Sequence, residues 1–122
     1  MAADDDLQRY FNGLTGKMRK QLAGVIDDEA NQLADAIRAA APSKETAHLR
    51  NSVRVEPGRD DLEKWVAAGG SATTVHNYDY SLAVEFGTEH NAAQPFFWPT
   101  YRARRDKIRQ NIMTAIEQAL KG

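Results

Sequence analysis

From Leu7 onward apolar residues recur at Phe11, Leu14, Met18, Leu22, Val25, Ile26, Leu33 and Ile37, the three-and-four spacing of one helical face. This predicts a long first helix. Gly13, Gly16 and Gly24 weaken it, and Pro42, with its ring and missing N–H, is placed to stop it after the Ala36–Ala41 stretch. If residues 6 to 40 were all helical, the rod would run to about 50 Å at ~1.5 Å per residue. That exceeds what a small sheet can cover.

Residues 43 to 49 form a polar connector, after which Leu49, Ser52 and Val53-Arg54-Val55 shift toward a period of two and predict a strand. Pro57-Gly58-Arg59-Asp60-Asp61 is a turn cluster, and Leu62 to Ala68 predicts a second strand returning antiparallel. Gly69-Gly70 breaks it. A third short element covers Tyr78 to Phe86, where period alone does not separate strand from helical turn. A second amphipathic helix follows Pro99, with a stripe of Tyr101, Ile108, Ile112, Ile116 and Leu120. The order predicts one α+β domain over residues 1–122: an N-terminal helix in 1–41, a sheet region of about three antiparallel strands in 47–87, an aromatic loop in 88–98 and a C-terminal helix in 99–121.

Composition narrows the function. The chain has 122 residues, 42% hydrophobic, enough for one core-forming domain. No window reaches the ~20 continuous apolar residues of a bilayer span. The acidic start Asp4-Asp5-Asp6 is unlike a signal peptide, so a cytosolic product is expected. With no cysteine, disulfides, thiol nucleophiles and Cys-based zinc sites are excluded. His48, His76 and His90 never fall at metal-binding helical spacing, and each sits in or beside a predicted loop as a solvated side chain. No cofactor motif, phosphate loop or nucleophile elbow is present.

Charge is unevenly spread. The formal net charge is -1, yet residues 99–122 hold six basic and two acidic residues. Arg102, Arg104, Arg105, Lys107 and Arg109 cluster early in the second helix, where cations oppose the helix dipole. They are candidates for phosphate contact with DNA, blind to sequence. The bland reading, the stronger one, is a solvated helix face or a salt-bridging surface toward the acidic N-terminal segment of a neighbour. Phe96-Phe97-Trp98, three consecutive large aromatics, cannot all face one core in either period. Flanked by Pro95 and Pro99, this loop is either an interface anchor or a sharp bend tucked inside.

Glu85 is enclosed by the apolar run Leu82-Ala83-Val84-Glu85-Phe86. A desolvated general acid, paired with His90 in a small hydrolase, is one reading; a carboxylate accepting backbone N–H groups or pairing with an arginine is the stronger one.

Three blocks taken together resemble a known family. Leu49-Arg50-Asn51-Ser52-Val53, then Tyr80 with Val84-Glu85-Phe86-Gly87-Thr88, then Ala93-Gln94-Pro95-Phe96-Phe97-x-Pro99 leading into an amphipathic helix, look like the small head-tail joining or tail-completion proteins of long-tailed bacteriophages, prophages and gene transfer agents. The similarity spans residues 47 to 121. The family pattern usually has Gly before the Leu-Arg pair, where this chain has Ala47-His48, and Arg-Pro-Ala after the aromatics, where it has Trp98-Pro99-Thr100. The resemblance implies a non-enzymatic virion component, without metal or cofactor, that forms a sixfold ring at the head-tail interface between portal or connector proteins and the tail tube. It implies contact with copies of itself and incidental contact with DNA in the channel, and none with membrane. On this reading Pro95, Phe96, Phe97, Trp98, Glu85 and Gly87 are the interface candidates, with Gly87 supplying a positive-φ turn. The alternative is a DNA-binding adaptor using the basic helix start.

Overall fold

A computed structural model describes residues 15–42, 47–75, 78–90 and 92–121. Helix α1 runs Gly16–Ala40 and begins at the N-cap Thr15, whose hydroxyl accepts the Met18 N–H at 3.3 Å. It ends where the Ala41 N–H reaches back to Ile37 and Arg38, one residue before Pro42. The part of the expected first helix before Thr15 and the connector residues 43–46 lie outside the described residues.

The block Leu49–Val53 departs from the expected strand. His48–Ser52 is a short helix, α2. Its Leu49 and Ser52 are buried, and the Ser52 hydroxyl donates to the Leu49 carbonyl at 2.6 Å while accepting the Gly69 N–H at 3.0 Å. Leu49 and Ser52 stand three residues apart, the spacing of one helical face and not a period of two, and the long-range bond to Gly69 holds the turn in place. Extended backbone starts only at β1, Arg54–Pro57, which pairs antiparallel with β2, Lys64–Ala67, Val55 opposite Val66. A 3₁₀ turn, Ser71–Thr73, leads to β3, Thr74–Val75, paired with β4, Tyr78–Asp79. The antiparallel strand content is thus divided between two short ladders. The ambiguous segment 78–86 resolves into β4 and then helix α3, Tyr80–Phe86, with Asp79 as its N-cap. Helix α4, Trp98–Lys121, completes the α+β order.

Two clusters make the core. Ala34 and Ile37 of α1 and its C-cap Ala41 pack with Leu49, Val53 and Phe96; nearer the start of α1, Leu22 and Ile26 pack with Leu62 and Ile116. Arg38 ties the first cluster together by donating from Nε and Nη2 to the Val53 carbonyl, at 3.1 and 2.8 Å. In α4 the buried positions are Ile116 and Ala119, whereas Leu120, expected on the inner stripe, is 49% exposed. A spacing of three from Ile116 keeps the buried face on α1 better than a spacing of four does. The α4 stripe is therefore covered at its C-terminal end and only half-covered at Tyr101, Ile108 and Ile112.

Candidate assembly surface

The surface begins with a helix that lacks its own cap. No acidic residue lies in the first turn of α4, and the cations that follow oppose its dipole. The missing anion comes from α3. Glu85 Oε1 accepts the N–H groups of Phe96 and Phe97, both at 2.9 Å, and Oε2 accepts that of Trp98 at 3.1 Å. Pro99 brings no N–H, so the carboxylate takes up the N–H of Trp98, the first residue of α4, together with the two that lead into it. Glu85 is only 7% exposed. This geometry gives it a capping role in place of acid chemistry, and the backbone donors are the ones anticipated from its apolar setting.

The loop that carries the chain back is set by Gly87 and Gln94. Gly87 has φ 80°, ψ 174°, which a side chain tolerates poorly, and its N–H donates to Ala83 O at 2.8 Å. The Gln94 N–H then bonds the Val84 carbonyl at 2.8 Å. Consequently the loop lies along α3, and Phe96 arrives in the first core cluster at 2% exposure.

A second polar network holds α3. Asp79, which the sequence reading did not single out, accepts the Gly70 N–H at 2.8 Å, the Ser81 N–H at 3.0 Å and the Thr73 hydroxyl. An Asp directly before a short apolar helix is an N-cap signal that could have found it. Burial pushes the Asp79 carboxyl up, but these hydrogen bonds prevail and hold it at about 2, against an ordinary 3.8. Arg54 closes the network by donating to the carbonyls of Ser52 and Gly69 at 2.8 and 2.7 Å.

The sequence candidates thus separate. Glu85 and Phe96 are buried inside the chain, and Gly87 and Phe97 are half-buried. Pro95 is exposed and Trp98 is 44% exposed. The rings of Phe97 and Trp98 meet edge-on at 5.2 Å, and those of Trp98 and Tyr101 at 6.0 Å. This edge-to-face run fixes Trp98 at the mouth of a groove of about 860 Å³. Ile26, Ala30 and Leu33 of α1, Val66 of β2, and Tyr101 and Ile108 of α4 line it. Arg105 and Arg109 also line this groove, while Arg102, Arg104 and Lys107 are exposed on the same half of α4. Leu82 and Phe86 of α3 form a separate exposed apolar pair, at 62% and 65%.

Among the described residues no group of three or more His, Asp and Glu side chains is placed to hold a metal ion. No described helix is long and apolar enough to cross a membrane. His90 is exposed, and His76 lies outside the described residues.

No significant match was found among the curated proteins or the solved structures. Residues 5–87 match the model of a family described as "Bacteriophage HK97-gp10, putative tail-component", a stretch that includes α1, both strand pairs and α3 with its Glu85 and Gly87. With more than half of its length inside that match, this chain belongs to the HK97-gp10-like family of bacteriophage tail components.

Proposed function

We propose that residues 1–122 act as one head-tail joining domain whose copies form a ring, sixfold in symmetry, at the head-tail junction or the head-proximal end of the tail. There the ring stabilises the channel through which DNA passes. Family membership supports a structural tail component in place of an enzyme. The observation that carries the finer reading is the apolar stripe of α4, buried at Ile116 and left half-covered at Tyr101 and Ile108 beside the exposed Trp98. An apolar groove with an aromatic at its mouth and cations on its rim is the composition of an interface that a partner completes. Portal or connector proteins on one side and tail-tube proteins on the other are the partners this role requires, and the virion head-tail interface is its location. The test is electron microscopy of particles made without this protein. Separate heads and tails accumulate if the proposal holds; joined particles of normal length overturn it.

Five exposed cations between Arg102 and Arg109 favour a second reading, a DNA-binding adaptor. It requires duplex binding that weakens steeply with salt and falls when Arg102, Arg104 and Arg105 are replaced by Ala. Absent or salt-insensitive binding removes it.

A further inference from the structure

Helices α1 and α4 run antiparallel, and their two ends are unequally covered. At one end Thr15, Met18 and Gln21 lie around a cleft with Ala115, Gln118 and Ala119. At the other, Tyr101 and Ile108 of α4 line the groove with Ala30, about 22 Å along α1 from Thr15 at ~1.5 Å per residue. The sequence before Thr15 carries the same apolar period, Leu7, Phe11 and Leu14. One chain thus offers both an apolar groove and a further apolar sequence segment.

Their charges are complementary. Asp4-Asp5-Asp6 directly precede Leu7, whereas Lys64, Arg105 and Arg109 line the groove. Of the two carboxylates in the groove wall, Glu29 accepts a hydrogen bond from the Asn111 amide at 2.7 Å and Asp106 lies 4.0 Å from Arg105; Lys64 lies 3.9 Å from Asp27, and these long, solvent-accessible pairs leave the cations able to meet further anions. The cations that disfavour the start of α4 gain a purpose if an acidic chain lies against them.

We infer that the groove between α1 and the first half of α4 receives the N-terminal segment of a second copy, with Leu7 and Phe11 on Tyr101 and Ile108 and the three aspartates toward Arg105 and Arg109. Donor and acceptor are different surfaces of the same chain. The contact is accordingly heterologous, the kind that propagates head to tail and closes as a ring. The inference rests on the proposal that copies assemble, and names the contact that joins them.

The absence of native cysteine gives a direct test. Gln8→Cys and Asp106→Cys chains, mixed and mildly oxidised, should form linked pairs, and the double variant should form a ladder of oligomers. Ile108→Asp in the acceptor should reduce cross-linking at least tenfold. A fluorescent peptide of residues 1–14 should bind the full chain in a salt-sensitive way, and at least tenfold more weakly after Ile108→Asp. A double variant that closes only on itself, cross-linking unaffected by Ile108→Asp, or absence of both cross-link and peptide binding overturns the inference. Both readouts use the isolated chain, so they stand apart from whether particles lacking the protein separate into heads and tails.

Discussion

The carboxylate of Glu85 holds the backbone of Trp98, thirteen residues later in the chain, at 3.1 Å. The same carboxylate holds Phe96 and Phe97, so one side chain of α3 both starts α4 and decides which aromatic goes inward. Phe96 turns into the core and Trp98 turns out, because the three amides must converge on one acceptor.

Replacing Glu85 with Ala strands those three N–H groups in a mostly buried setting and should destabilise the fold by about 3 kcal/mol. Gln, which keeps one carbonyl acceptor, should cost less. Urea denaturation of both variants measures the difference, and faster amide exchange at Phe96, Phe97 and Trp98 should localise it.

Gly69→Ala and Gly87→Ala test the turn after β2 and the turn after α3. Both positions have positive φ, 89° and 80°, which costs on the order of 1–3 kcal/mol for a side chain. A Cβ at Gly69 would also collide with Ser81 and Asp79. Gly69→Ala should therefore lower the thermal midpoint more than Gly87→Ala.

Acid should loosen the Asp79 network in a defined window. Its carboxyl sits at about 2 when folded and near 3.8 when not, so its contribution to stability is complete above the latter value and is lost as pH falls through the former. The stability gap between the native chain and Asp79→Asn should shrink from pH 5 to pH 2. A gap independent of pH would place the effect elsewhere.

Trp98→Asp keeps the backbone N–H that Glu85 accepts and changes only a half-exposed side chain. It should leave the unfolding midpoint nearly unchanged and weaken self-association, read by sedimentation velocity over a concentration series. Phe97→Asp is a poorer probe, since Phe97 also packs against the first core cluster and its loss lowers stability as well.

Gly24 lies inside α1 with open space where a Cβ would stand. Ala there should stabilise the chain by about 1 kcal/mol and raise the thermal midpoint by several degrees. An unchanged midpoint would argue against a continuous helix at this point.

The sequence by itself determined what depends on near neighbours. The three-and-four spacing of Leu22, Ile26 and Ile37 specified α1, Pro42 its end and Pro99 the first turn of α4. Each follows from backbone sterics or from a side-chain period within a few residues. Tertiary structure decided the rest. Leu49–Ser52 became a helical turn because Ser52 meets Gly69, seventeen residues on. Ala119 replaced Leu120 inside because α1 sets the packed face of α4. Glu85 became a cap, and half of the α4 stripe stayed uncovered, because a carboxylate's partners and a helix's neighbours are fixed only when the chain returns upon itself. Periodicity shows that a face is apolar; it does not say what covers it.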